Sequence, residues 1–86
     1  MSNEQKNRIT VEIYGHHYTM IGTESKSHMR RVARLVDERM NEIKQLNPVL
    51  DLNKIAVLTA VNAVNDCVKL KEENELLKEE LMKLKD

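Results

Sequence analysis

The feature that most constrains this chain is the absence of glycine and proline from residue 49 onward. These are the two residues that most strongly oppose helix formation. Asp51 is a suitable N-cap for a helix that then continues through about 33 residues and extends for about 50 Å. Such a helix is too long for the core of an 86-residue chain. We therefore predict that its distal part projects from the rest of the molecule.

The distal part of this helix carries the heptad repeat of a coiled coil. Its a and d positions, continued backward through small residues, form one face that we call the seam. The seam consists of Ala56, Ala60, Ala63, Cys67, Leu70, Asn74, Leu77, Leu81 and Leu84. Leucine at the distal d positions and a single asparagine at an a position favour two parallel strands.

The charges that flank the seam favour the same orientation. In a parallel dimer the g and e positions bring acidic residues against lysines. The resulting pairs are Asp66 with Lys71, Glu73 with Lys78, and Glu80 with Lys85. An antiparallel pair would place like charges together. The sequence therefore predicts a parallel coiled-coil homodimer.

Composition also favours assembly with a partner chain. Hydrophobic residues make up 41% of the sequence, and Tyr14 and Tyr18 are the only aromatic residues. A single cysteine, Cys67, excludes an intramolecular disulfide, and no residues have the spacing of a structural zinc site. A chain of this size that has neither a disulfide nor a structural metal usually needs oligomerisation for stability.

The first half of the chain begins with a pattern typical of a β-hairpin. Residues 1–7 are polar and are predicted to be disordered. Apolar and polar residues alternate over residues 8–14, which indicates a half-buried strand. A second strand is predicted over residues 17–21. Gly15-His16 suits a type II′ turn between the strands, because glycine is preferred at the first central position.

That turn predicts a definite strand register. It pairs Ile13 with Tyr18 and Val11 with Met20, so that apolar residues of both strands share one face. A lone hairpin is only marginally stable in water, and we therefore expect a helix to cover that face.

A first helix is predicted between a cap at Thr23 or Ser25 and a stop at Asn47-Pro48. Its apolar residues recur at helical spacing and form a single stripe. They are Met29, Val32, Ala33, Val36, Met40 and Ile43. The start of the long helix is apolar on much of its circumference, and larger residues there are predicted to pack on the hairpin and first helix. These are Val57, Leu58, Val61, Val64 and Val68.

The predicted fold class is therefore α+β. A small head of hairpin and helix occupies residues 8–50, and a long helix occupies residues 51–86. Residues of the long helix up to about residue 66 belong to the head core, and residues 67–86 form a coiled-coil tail.

The sequence contains no pattern that indicates catalysis. It has no glycine-rich phosphate loop, no nucleophile elbow and no paired carboxylates in a pocket, so we predict a protein that is not an enzyme and needs no cofactor. His16, His17 and His28 lack cysteine or carboxylate neighbours at zinc spacing, which argues against a metal site. Cys67 is interpreted as a small seam residue and not as a redox thiol.

Charge and hydropathy limit the kinds of partner that the chain can have. Fourteen basic and fourteen acidic residues give zero net charge, which argues against a dedicated nucleic-acid binder. No apolar run approaches the ~20 residues of a membrane span, and the first residues lack a signal-peptide core, so a cytoplasmic protein is expected. Arg30, Arg31 and Arg34 cluster at the start of the first helix, where the helix dipole disfavours cations. They are either a partner-binding surface or a solvated face paired with Asp37 and Glu38.

Three segments together resemble the ZapA family, small bacterial division proteins associated with the tubulin-like GTPase FtsZ. The segments are the hairpin string from Val11 to Met20, the helix around Val32-Ala33, and the apolar stretch from Ile55 to Ala63. The resemblance extends from residue 8 to the end. It implies a head domain, a coiled-coil tail, and dimers that can pair into tetramers. It also implies binding and cross-linking of FtsZ protofilaments, which promotes assembly and stability of the Z-ring at midcell.

Hairpin tips and loops on a rigid scaffold are common recognition surfaces, and we expect the head to contact the partner. The expected contact residues are His16, Thr19, Arg31, Arg34, Lys44 and Asn53. From the residues alone, two other functions stay open. One is a generic homodimeric coiled-coil adaptor, and the other is a small DNA-binding regulator that uses the arginine cluster.

Overall fold

The computed structural model describes residues 5–85, and the expectations for residues 1–4 and for Asp86 lie outside it. Strand β1 (Asn7–Ile13) and strand β2 (His16–Gly22) form an antiparallel hairpin. Helix α1 (Lys26–Leu46) and helix α2 (Leu52–Lys85) follow. The predicted hairpin, first helix and long second helix are confirmed. Strand β1 begins one residue before the predicted boundary at residue 8.

The predicted turn is displaced by one residue, and the predicted register of the hairpin is wrong by two residues. Tyr14 and Gly15 form the turn with φ angles of 51° and 78°, and positive φ at both central residues is the mark of a type I′ turn. Ile13 therefore pairs with His16, and Val11 pairs with Tyr18. A shift of two residues keeps every side chain on its predicted face, because side chains alternate with a period of two.

A contact with α1 explains why a tyrosine takes this unusual conformation. A left-handed φ costs a non-glycine residue about 1–2 kcal/mol. The backbone N–H of Tyr14 donates to Asp37 Oδ1 at 2.7 Å, and a hydrogen bond to a charged group contributes about 1.5–3 kcal/mol. This tertiary contact offsets the strain, and local turn preferences could not have indicated it.

The hairpin packs against α1 mainly through β1. Ile9 and Val11 are buried against Met29 and Ala33 of α1. Tyr18 of β2 lies on the same face of the hairpin, yet 46% of its surface is exposed. Helix α1 therefore supports one strand and leaves much of the other uncovered.

A second buried cluster joins the two helices and consists of Met40, Ile43 and Ile55. Of the two caps predicted for α1, Thr23 and Ser25, the structure uses Ser25, and the predicted cap of α2 at Asp51 is confirmed. Ser25 Oγ accepts from the backbone N–H of His28 at 3.1 Å, and Asp51 Oδ1 accepts from the N–H of Lys54 at 2.9 Å. These caps fix the chain at the two points where it changes direction.

The predicted packing of α2 on the head is wrong in its choice of face. Ile55 is 0% exposed and Thr59 is 7% exposed, whereas Val57 and Val64 are each 62% exposed. Residues advance by about 100° per position along a helix, so the valines lie on the side away from α1. Apolar residues surround this part of α2, and hydrophobicity alone does not distinguish which of them meets the head.

Candidate dimerisation and partner-binding surfaces

The seam lies on one uncovered face of α2. All nine of its residues are exposed in the single chain. Leu70, Leu77, Leu81 and Leu84 are between 55% and 82% exposed. The face extends from Ala56 to Leu84, which corresponds to about 42 Å of helix. A soluble protein rarely leaves an apolar surface of this extent open to water, so the face is suited to a partner helix.

The middle of the seam forms a shallow groove. Its floor is made by Ala63, Cys67, Leu70, Asn74 and Leu77, and its sides carry the charged residues Asp66, Lys71 and Glu73. An apolar floor between charged flanks is the surface that a coiled-coil helix presents to its partner.

One of the predicted flanking ion pairs is engaged elsewhere. Asp66 was expected to meet Lys71 of a partner helix. In the structure Asp66 Oδ2 lies 3.4 Å from both terminal nitrogens of Arg39 in the same chain. This contact ties α2 to α1 at the point where the helix leaves the head.

A valine strip lies beside the seam on the first part of α2. It consists of Val57, Val61, Val64 and Val68, which are between 46% and 62% exposed. Together with the small seam residues it gives this part of α2 a wide apolar surface. The apolar pattern of α2 predicts these valines in the head core, and it gives no sign of this exposed strip.

The arginine cluster lies on the exposed side of α1. Arg30, Arg31 and Arg34 line a shallow recess together with Ser27. Among residues 5–85 the only ion pair is Arg39–Asp66, so the structure does not show the alternative in which Asp37 and Glu38 neutralise the cluster. The carboxylate of Asp37 points instead to the hairpin turn.

The predicted partner-binding residues do not form one patch. Arg31 and Lys44 are separated by thirteen positions of α1, which corresponds to about 20 Å. His16 and Thr19 differ by an odd number of positions on β2, so their side chains point to opposite faces of the hairpin.

Lys44 and Asn53 belong to the loop end of the head. The ammonium group of Lys44 donates to the carbonyl oxygens of Pro48 at 2.7 Å and Leu50 at 3.2 Å. Lys44 therefore has a structural role in the connection between the helices, which sequence reasoning missed. Asn53 is exposed in the first turn of α2.

The described residues offer few other kinds of site. Between residues 5 and 85 no three His, Cys, Asp or Glu side chains come together as metal ligands. Neither α1 nor α2 has a stretch that is both apolar and long enough to cross a membrane. The surfaces that stand out are therefore the seam, the valine strip and the arginine cluster, all of which are suited to macromolecular contacts.

Comparison with known proteins identifies relatives across nearly the whole chain. The family model described as cell division protein ZapA matches residues 9–86. The chain is 62% identical over 78 residues to cell division protein ZapA of Bacillus licheniformis, which covers 91% of this chain and 92% of the relative. It is 56% identical over 81 residues to the ZapA protein of Bacillus subtilis, with 94% of this chain and 95% of the relative covered.

A solved structure has the same fold. A ZapA mutant dimer from Geobacillus stearothermophilus superposes with a TM-score of 0.76 at 47% identity, and the match covers 94% of each chain. This superposition supports the fold described above. The chain belongs to the ZapA family of cell division proteins.

Proposed function

We propose that this protein is a homodimer that binds FtsZ filaments through its heads and cross-links them, which promotes assembly and stability of the Z-ring. The observation that carries the proposal is the uncovered seam. It begins on the part of α2 beside the folded head and continues along the charged tail. Family membership supports FtsZ as the partner, and the dimer described for the solved relative supports self-association. In this proposal the protein acts in the cytoplasm at midcell, without enzymatic activity or a cofactor.

The proposed dimer is a parallel coiled coil along the seam. Burial of one exposed leucine contributes about 1.5–3 kcal/mol, so a few leucines are enough for stable association. Glu73 with Lys78 and Glu80 with Lys85 supply complementary flanking pairs in the parallel orientation. The valine strip and the outer tail residues Leu76 and Met82 are available for a further pairing of dimers into tetramers.

Two-fold symmetry explains how such a dimer would bundle filaments. Any binding surface on the head is present twice in a dimer. Two weak sites held on one body can bridge neighbouring filaments with an avidity that exceeds either site alone. Cross-linking therefore depends on the tail and recognition depends on the head, and the two can be tested separately.

The proposed head contacts are not one continuous surface. Arg31 and Arg34 on α1 form the main contact, and His16 and Thr19 at the hairpin and Lys44 and Asn53 at the loop end are secondary contacts. The two arginines are expected to contribute most to filament binding, because they are exposed and form no ion pair with residues 5–85. The two loop-end residues are peripheral in this arrangement, since Lys44 holds the loop through its hydrogen bonds.

The test measures co-sedimentation of the purified protein with FtsZ polymerised in GTP, together with bundling by light scattering. Arg31→Glu combined with Arg34→Glu should reduce binding at least tenfold while the dimer persists. Lys69→Glu combined with Lys83→Glu makes the same charge change on the outer face of the tail and should leave binding intact. Binding by the wild-type protein should also weaken as salt is raised.

The opposite pattern would assign the partner surface to the tail. That result would be normal bundling by the arginine variant and loss of bundling by the lysine variant. Failure of the wild-type protein to sediment with FtsZ filaments would leave a coiled-coil adaptor for another partner as the function.

A further inference from the structure

The hairpin has a free edge on β1 beside helix α1. Among residues 5–85 the sheet contains only β1 and β2, so each strand is paired on one side. An unpaired strand edge offers a row of backbone donors and acceptors to another extended chain. A helix lies next to the edge of β1, whereas β2 makes few contacts with α1.

The register determines which backbone groups point out of the β1 edge. In a hairpin with a two-residue turn the flanking pair, here Ile13 and His16, is hydrogen bonded. Hydrogen-bonded and non-hydrogen-bonded pairs then alternate along the strands. The N–H and C=O groups of Thr10 and Glu12 consequently point away from β2, and no described residue outside the hairpin bonds to them.

A groove separates this edge from α1. The side of the groove formed by β1 consists of Thr10, Val11 and Glu12, and the side formed by α1 consists of Arg30, Ala33, Arg34 and Asp37. Val11 and Ala33 are buried and form an apolar floor. The arginines stand one helical turn apart along the rim, and both are exposed.

We propose that this groove binds an extended acidic peptide segment, which adds to β1 as a third strand and places its carboxylates on Arg30 and Arg34. An edge strand beside a helix is an arrangement that accepts peptides by strand addition, with the backbone providing affinity and the flanking residues providing specificity. The proposal rests on the proposed function to the extent that the filament protein supplies the segment.

Charge complementarity selects an acidic occupant. Asp37 is the only acidic residue on the α1 side of the groove, and its carboxylate already accepts from Tyr14 N. The side chain of Glu12 projects from the face of the hairpin opposite to the buried Val11, since neighbouring strand residues alternate. The rim available to a bound strand is therefore positive, and Arg–carboxylate contacts are among the strongest hydrogen bonds in proteins.

The first experiment needs no variant. The full-length ¹⁵N-labelled protein is titrated with the acetylated and amidated peptide Glu-Val-Glu-Val-Glu-Val while amide chemical shifts are recorded. We expect saturable shifts at Thr10 and Glu12 and at the neighbouring Arg30 and Arg34. The matched peptide with lysine in place of glutamate should produce none. Absence of shifts with the acidic peptide, or shifts confined to other residues, would overturn the proposal.

The second experiment removes a single edge donor. Thr10→Pro deletes an N–H that points into the groove, and proline is tolerated on an edge strand. We expect its affinity for the acidic peptide to fall at least tenfold, while Thr10→Val, which keeps the N–H, stays near wild type. His17→Pro deletes a donor on the opposite edge and should also bind normally. Amide shifts elsewhere in each variant establish that the hairpin remains folded.

Sedimentation with FtsZ filaments separates this proposal from the proposed function. Normal filament binding by Thr10→Pro would show that the filament contact does not use strand addition, although the proposed function would stand. If the wild-type protein fails to bind filaments but binds the acidic peptide at β1, the proposed function fails and the groove assignment holds.

Discussion

The head and the tail of this protein differ in how far a single chain buries their apolar residues. In the head, Ile9, Ile43 and Ile55 are between 0% and 6% exposed within a single chain. In the tail, Leu70, Leu81 and Leu84 are between 60% and 82% exposed. The head therefore has a core of its own, whereas the tail can bury its leucines only against another molecule. The stability of the head therefore comes from contacts within one chain, whereas the stability of the tail depends on association and hence on protein concentration.

The largest expected effect comes from placing charge in the seam. Leu77→Lys combined with Leu84→Lys removes two buried leucines from the proposed dimer, at about 2–5 kcal/mol for each. We expect the protein to become monomeric at micromolar concentration in sedimentation equilibrium. Leu76→Lys combined with Met82→Lys makes the same change on the outer face and should leave the mass of the dimer unchanged. A dimer that survives the seam substitutions would show that the seam has been assigned to the wrong face.

The second effect concerns the core of the head. Ile55 is 0% exposed and joins α2 to α1, so Ile55→Ala should lower the free energy of unfolding by about 2–5 kcal/mol. Denaturant unfolding at a fixed protein concentration measures this change. Val49→Ala, at a position that is 94% exposed, is the control and should change stability by less than about 0.5 kcal/mol. Equal effects of the two substitutions would contradict the described core.

Local sequence patterns were sufficient for the type and order of the elements and for the helix caps, whereas each strand end differs from its predicted position by one residue. Alternation identified both strands, and the capping residues Ser25 and Asp51 lie where the sequence placed them. The heptad repeat identified a face that the structure leaves uncovered. These features depend on neighbouring residues in the chain, which is why they can be predicted without knowledge of the tertiary structure.

Contacts between distant residues account for what the sequence did not indicate. The turn position depends on Asp37, which lies 23 positions from Tyr14. The face of α2 that meets the head depends on how α1 is placed, and both Ile55 and Val57 are suitable candidates by hydrophobicity. The contact residues predicted on the head follow from the hairpin tip, the loop and the arginine cluster, and Lys44 shows how a tertiary hydrogen bond can engage such a residue.

The hairpin turn provides a smaller test of the head as a self-contained unit. Asp37→Ala removes the acceptor for Tyr14 N–H and should cost about 1–3 kcal/mol, because a strained residue loses its compensating hydrogen bond. Asp37→Asn keeps an acceptor oxygen and should cost less. Thermal unfolding measures both variants. If Asp37→Ala is as stable as the wild-type protein, the turn is held by local interactions alone.

The smallest expected effect lies at the junction of the two regions, where Arg39 and Asp66 meet at 3.4 Å. The two side chains are 41% and 52% exposed, and exposed ion pairs contribute only about 0.2–1 kcal/mol. A double-mutant cycle with Arg39→Ala and Asp66→Ala should give a coupling energy within this range that decreases with added salt. The matched cycle with Lys71→Ala and Asp66→Ala should give none, because Asp66 is already engaged within its own chain. The reverse result would place Asp66 in the coiled coil and move the boundary between head and tail toward the start of α2.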